Sequence, residues 1–557
     1  MMQSVELPTE EATLAEASPV VPWAAPRRAR ARMLDRRMAL VLALLCLCGF
    51  GLRIRGLDQI GFAEDEINKL EAVRAYERGD ITQNAEHPML MKSLIFVSLR
   101  AARVWNARAS DAQQISDEVA LRLPNVLFGA LTVFPIFLLT AALFDRRTAL
   151  CAAVLWAFGL NAITYNRIGK EDTLLVFFML FAFYFYLRAK LTSGFEPQQK
   201  KKFYSLSAGS FGLMLASKYF PHYFGLNMLY HHLVRVRERE PGEPPGKTPN
   251  FFYLLMGDVF CLASPAILLP RTWAYMSTYS GEQLLTHHGY LMGDRLYMNL
   301  TSQTPFGTPV YFYALFLLIK TPLPLLIALV TGLLVCARKW RERGPAFLLL
   351  MFTLWIVPYS LVGAKWLRYT LTLMPFVYML AAVGIMALLR GGARVWGRGS
   401  WHAPLKVVRA LVVIYFLAVP AWLAYTAGPH YALYTNALGA GRAGYYFPHD
   451  EFYDDGLREA IHYVCDHAPR GATVVHETPG VVSYYLARYQ RTDLHSSVLS
   501  DQQFDVRKAP RPAFFILQRG RTYFENRAKM AEVRAAFPKL YEGFVGGLSA
   551  AEVYAAQ

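Results

Sequence analysis

The ionisable residues of this sequence gather at the edges of its apolar runs, and its chemistry must be sought there. Glu64-Asp65-Glu66 is the densest acidic group and stands just after the first apolar run. His87-Pro88 and Lys92 follow it, and Asp172 opens a later apolar run beside Glu171, Lys170 and Arg167. Cations arrive from the second half of the chain. Lys218 lies between two apolar runs, and Lys320 sits in Ile319-Lys320-Thr321-Pro322-Leu323-Pro324. Lys365 and Arg368 flank Trp366, ahead of Tyr369. Ionisable residues held at membrane depth mark functional sites by default. A carboxylate cluster facing several cations suits an anionic group, phosphate above all. The same cations can stabilise the charge that builds on a departing phosphate.

The elements that must position these residues are helices in a membrane. Of 557 residues 54% are hydrophobic and 18% charged, against roughly 25% charged in a soluble domain. That composition excludes a disordered chain and is too apolar for one soluble core. A bilayer core needs roughly 20 apolar residues per helix. Candidate spans lie near 38–54, 126–144, 148–165, 173–189, 203–217, 219–234, 250–270, 309–337, 346–362, 369–389 and 407–427. Lys+Arg 58 against Asp+Glu 41 leaves a net charge of +17. The excess sits in short stretches such as 27–32, 200–202, 235–237 and 338–341, the pattern of cytoplasmic loops and not of a nucleic-acid surface. Five of the six cysteines lie in or beside apolar runs, which argues against a disulfide framework or a cysteine zinc site.

The expected fold is a polytopic α-helical membrane protein with about eleven transmembrane helices. Interfacial helices are expected in the first external loop, and a small external α/β domain at the C-terminus. Residues 1–37 form a basic cytoplasmic segment, 38–427 the transmembrane domain (55–125 its first external loop), and 428–557 the extracytoplasmic domain. Residues 66–76 and 89–104 read as helices lying along the membrane surface. Residues 472–476 and 513–517 read as short buried strands.

The pattern resembles the polyprenyl-phosphate-dependent glycosyltransferases of the GT-C superfamily, particularly protein O-mannosyltransferases and the lipid A aminoarabinose transferases. Asp65-Glu66 resembles the acidic pair of that family's first external loop. His87-Pro88-Met89-Leu90 with Lys92 resembles its His-Pro-Pro-Leu turn, with Met at the second Pro. Arg167 with Asp172, Ala216-Ser217-Lys218-Tyr219, Lys320-Thr321-Pro322-Leu323-Pro324 and Lys365 with Arg368-Tyr369 resemble later signatures. His430-Tyr431 with Tyr434-Thr435-Asn436 resembles the opening of the external domain. Asp454-Asp455-Gly456 departs from the Asp-Trp-Gly of many bacterial relatives.

The resemblance implies transfer of a mannose-like or aminoarabinose-like sugar from a polyprenyl-phosphate donor to an acceptor hydroxyl. The reaction would run on the extracytoplasmic side of a bacterial inner membrane, with inversion. Asp65 would act as general base. Lys218, Lys320, Lys365 and Arg368, with Arg167, would neutralise the phosphate. Asp172 either orients a cation or shares a divalent metal, Mg²⁺ or Ca²⁺, with Asp65 or Glu66. His87 orients Asp65 or hydrogen-bonds phosphate. His287-His288, near Tyr290, Tyr297 and Phe306, could line a sugar site. The implied partners are the lipid-linked donor, a protein, lipid or glycan acceptor, and membrane lipid. The competing reading is a transporter or flippase of an anionic or lipid-linked substrate.

Overall fold

The computed structural model of the chain describes residues 35–244, 246–280, 288–299, 307–396 and 402–557. The basic segment before residue 35, His287 and Phe306 lie outside the described residues. The first half runs α1 (Arg36–Ile54), α2 (Glu64–Glu77), α3 (Met89–Asn106), α4 (Asp117–Leu131), α5 (Val133–Leu143), α6 (Arg146–Ala157), α7 (Leu160–Asn166), α8 (Asp172–Leu191), α9 (Pro197–Ser217), α10 (His222–Leu233) and α11 (Asn250–Ala263). After α12 (Pro270–Ser280) comes an antiparallel hairpin of β1 (Tyr290–Met292) and β2 (Arg295–Tyr297). Then follow α13 (Phe312–Lys320), α14 (Leu323–Arg338), α15 (Arg343–Leu361), α16 (Met374–Trp396) and α17 (His402–Ala427).

Each of the eleven apolar runs carries helix. By length and apolarity, five segments among the described residues are able to cross a membrane: Arg36–Ile54, Asp111–Leu143, Asp172–Leu191, Arg343–Leu361 and Ala410–Ala427. The pair α6 and α7, bent by 53°, makes a sixth if it is one broken span. The protein is thus an integral helical membrane protein with five to six such segments, fewer than the run count suggests. The 309–337 run is divided at Thr321-Pro322 into α13 and α14, because proline has no N–H to give the preceding turn. Helices α10, α11 and α14 have 12, 14 and 16 residues, short of the roughly 20 a bilayer needs.

The C-terminal region adds α18 (Pro448–Phe452), α19 (Leu457–His467), β3 (Thr473–His476), α20 (Pro479–Arg488), β4 (His495–Val498), β5 (Ala513–Gln518), α21 (Arg527–Ala536), β6 (Lys539–Val545) and β7 (Leu548–Ala556). The strands form one mixed sheet in the order β4-β3-β5-β7-β6, parallel on the β3 side and antiparallel on the β7 side. The two strands read from sequence are β3 and β5, buried along their whole length, as strands covered on both faces must be.

One core joins this sheet to the first loop. Phe514 and Ile516 of β5 and Leu457, Ile461 and Val464 of α19 pack with Ile67, Leu70 and Val73 of α2 and with Met91, Ile95 and Leu99 of α3. These loop helices bury one face against protein. An amphipathic period shows that an apolar face exists and does not say what covers it. Val97, Val104 and Trp105 of α3 stay exposed.

Behind the loop that leads into α16, α14 and α16 cross backbone to backbone. A Cβ added at Gly332 would lie 1.9 Å from the Leu380 carbonyl oxygen, and one added at Gly384 would lie 1.9 Å from that of Ala328. Small residues permit such contact between membrane helices. Gly384→Ala is therefore expected to push the helices apart and cost ~1–3 kcal/mol. An unchanged melting temperature in detergent would remove this crossing from the account.

Candidate active site

The first turn of α2 sends three consecutive carboxylates in three directions, as a helix of 3.6 residues per turn requires. Acids here also complement the helix dipole. Glu64 meets Arg521 at 2.9 Å. Glu66 closes on Arg122 through two hydrogen bonds of 2.6 and 2.8 Å, and accepts from the backbone N–H of Gly169 (2.8 Å) and Ala63 (3.1 Å). Asp65 keeps 27% of its side chain exposed and Glu64 35%, while that of Glu66 is closed off.

Two cations hold Asp65. Lys170 lies 2.9 Å from Oδ1 and Arg368 3.0 Å from Oδ2, while the Tyr453 hydroxyl also donates to Oδ2. Lys170 comes from the turn before α8, and Arg368 from the 3₁₀ turn Leu367–Thr372 before α16. Burial opposes ionisation of Asp65. The charges of Lys170 and Arg368 and the Tyr453 hydrogen bond outweigh it, holding the carboxyl well below the usual carboxylate range. Burial and the neighbouring Asp65 charge push the Tyr453 phenol far up, so it keeps its proton.

Beside this group, Asp172 at the start of α8 pairs with Lys218 at 2.7 Å. The Lys218 ammonium lies 5.0 Å from the Tyr369 ring centroid, and the Arg368 guanidinium 5.6 Å from the same ring. The Nε of Arg368 and Oδ2 of Asp172 are buried without a hydrogen-bond partner among the described residues, an arrangement that native proteins seldom leave unexplained.

The structure therefore brings Asp65, Asp172, Lys218, Arg368 and Tyr369 together, and it turns the other predicted residues elsewhere. Glu66, expected beside Asp65 in the site, is fully buried against Arg122 and holds the loop in place. The Arg167 guanidinium donates to the carbonyls of Arg53, Arg55 and Gly56. Lys92 donates to the carbonyls of Gln83, Asn84 and His87. Lys320 pairs with Glu451 and donates to the Ala432 carbonyl. Lys365, fully buried, donates to the Thr308 carbonyl at 2.7 Å. Each of these ammonium or guanidinium groups tethers chain where a phosphate was expected. His87 faces Glu171 at 4.0 Å rather than Asp65, and His288 pairs with Glu525 at 2.6 Å.

Lys170, Tyr453, Arg122 and Arg521 are what sequence reasoning missed. Lys170 was visible beside Asp172, with no cue to its direction. The others act across 56 to 457 positions, which leaves no local signature.

A divalent metal would need several of these oxygens on one centre. Asp65, Glu66 and Asp172 each face a different cation instead. Among the described residues, no three His, Cys, Asp or Glu side chains come together in a group able to hold a metal ion. The described residues, paired in this way, do not fit a resident metal.

Residues 105–267 match the profile of the family described as dolichyl-phosphate-mannose-protein mannosyltransferase. That stretch is similar to the mannosyltransferase family over 163 of the 557 residues. The matched segment carries Arg122, Lys170, Asp172 and Lys218, while Asp65 and Arg368 lie outside it. No curated protein matches the chain by sequence. Among solved structures it is similar to ArnT from Cupriavidus metallidurans bound to undecaprenyl phosphate. The identity there is 13% and the TM-score 0.48, over 93% of this chain and 98% of that one. It is also similar to the oligosaccharyltransferase AglB from Archaeoglobus fulgidus in complex with an inhibitory peptide and a dolichol-phosphate. That match has 11% identity and a TM-score of 0.49, over 92% and 74% of the two chains.

Proposed function

We propose that this polyprenyl-phosphate-sugar-dependent glycosyltransferase moves a single sugar to an acceptor hydroxyl at the extracytoplasmic face of the membrane, with Asp65 as general base. The observation that carries the reading is the pairing of Asp65, partly open to solvent, with Lys170 and Arg368. A donor phosphate entering this space competes for both cations, helped by Lys218 and the unpartnered Nε of Arg368. Asp65 is then left free to accept a proton.

In the step itself, Asp65 takes the acceptor O–H proton as the acceptor oxygen bonds to the anomeric carbon. The bond from that carbon to the phosphate oxygen breaks from the opposite face, so the configuration inverts. Polyprenyl phosphate leaves with the electron pair, its charge held by Arg368, Lys170 and Lys218. The donor's lipid keeps the reaction at the membrane boundary, where orientation supplies much of the rate. The topology belonging to this reading has a cytoplasmic N-terminus and the C-terminal sheet region outside, following the basic loops.

The test uses purified protein in liposomes, offered polyprenyl-phosphate sugars one at a time, with release of free polyprenyl phosphate followed. Consumption of one donor names the sugar. Arg368→Lys keeps the charge and loses the two-pronged grip, so the donor KM is expected to rise about tenfold to a hundredfold. Lack of consumption across the panel, with acceptor extract present and the protein folded, would turn the reading towards transport.

A further inference from the structure

Tyr453 stands out as a bulky residue in a backbone conformation that bulky residues avoid. Its φ is 55° and its ψ −77°, where side chains other than glycine's are strained. The surrounding chain enforces this. The Tyr453 N–H donates to the His449 carbonyl at 3.0 Å, and the Asp455 N–H to that of Phe452 at 2.8 Å. The adjoining Asp454 is locked by Arg521 at 2.5 and 2.7 Å, by Gln518 at 3.0 Å and by the Glu64 N–H at 3.0 Å. The result is that two consecutive residues of the C-terminal region reach the first turn of α2, Asp454 at Glu64 and the Tyr453 phenol at Asp65. Strain sustained by such a frame is a signature of a functional position.

We propose that Tyr453 is a positioning residue for sugar transfer, holding the Asp65 carboxylate towards the acceptor hydroxyl after the donor phosphate has drawn Lys170 and Arg368 away. The inference rests on Asp65 being the base. The groups around the carboxylate divide by charge. Lys170 and Arg368 are cations that a phosphate attracts, whereas the phenol is neutral and stays. His449 is the ring beside it, edge-on at 6.5 Å. A neutral donor to Oδ2 fixes the rotation of the carboxyl group and leaves Oδ1 to take the proton. Without it, a carboxylate that has lost both cations is free to turn.

Tyr453→Phe tests this, since it keeps the ring and removes the hydroxyl. Transfer at saturating donor is expected to fall about tenfold to a hundredfold, with donor KM and melting temperature unchanged. The acid limb of the kcat profile is expected to move to higher pH, because a carboxylate stripped of a hydrogen bond binds its proton more tightly. An unchanged kcat and acid limb overturns the proposal. So does a lost activity that tracks a lowered melting temperature with the acid limb in place, which would mark Tyr453 as structural. Asp65→Asn runs in parallel. If it retains transfer, the base assignment itself has failed, whatever Tyr453→Phe does.

Discussion

Asp65→Asn is expected to lose transfer and to bind the lipid-linked donor more tightly. The first half follows from the base role proposed for Asp65, since a positioned base contributes about 10²–10⁴-fold. The second follows from the ion pairs. In the free protein, donor phosphate must displace Asp65 from Lys170 and from Arg368. Partly exposed pairs of this kind are worth up to ~1 kcal/mol each. Asparagine carries no charge to displace, so affinity for polyprenyl phosphate is expected to improve by about tenfold. Binding of polyprenyl phosphate and single-turnover transfer, measured on the same preparation, check both halves. A variant that keeps transfer within a few fold of the parent sinks the base assignment. A variant that also loses donor binding makes Asp65 a strut of the site and not its base.

Arg122→Met is expected to cost more than any other single change in the first loop. Arg122 is buried and spans two layers of the site. It pairs with Glu66 at 2.6 Å and donates to the carbonyls of Leu57 (3.1 Å), Ile60 (2.8 Å) and Gly61 (2.6 Å). Its removal strands a buried carboxylate, at about 3–5 kcal/mol, and leaves three carbonyls to find water. Glu66 also receives the Gly169 N–H one residue ahead of Lys170, so the damage reaches the cation that faces Asp65. Glu66→Gln keeps an acceptor for both partners and is expected to be milder. Removing both charges, with Arg122→Met beside Glu66→Leu, is expected to recover part of the loss, since a packed apolar pair often replaces a buried ion pair without penalty. Thermal unfolding in detergent measures all three. An Arg122→Met protein that melts like the parent would contradict the ion pair as the anchor of the loop.

How much of this was legible follows from the range of each interaction. The helices were readable because an apolar run is a local property, and the Thr321-Pro322 break was readable because proline acts on its own turn. Asp65, Asp172, Lys218 and Arg368 could be singled out because a charge beside an apolar run is conspicuous wherever its partner lies. What each charge does was not legible. Lys365, Lys320 and Arg167 look like Arg368 in sequence, yet they hold chain at Thr308, Glu451 and Arg53. The choice between holding backbone and facing substrate is made by tertiary packing, which a linear pattern does not record. The same holds for Asp454. The departure of Asp454-Asp455-Gly456 from the family's motif carried no sign that the two Asp454 oxygens bind Arg521, Gln518 and the Glu64 N–H.

The grip of the C-terminal region on the loop before α2 also has a consequence in time. Arg458 holds the carbonyls of Asp58 and Gln59, the Tyr485 hydroxyl accepts from the Phe62 N–H, and Arg521 holds Glu64. The last of these contacts spans 457 positions. At about 5–20 residues per second, a ribosome needs roughly 20–90 s to supply the second partner after the first. Throughout that interval the nascent chain already holds Asp65 and lacks the residues that aim it. On the proposed reading the chain is therefore silent until residues 453–521 are made and folded against α2, and a product ending before them would hold Asp65 without Tyr453 to aim it.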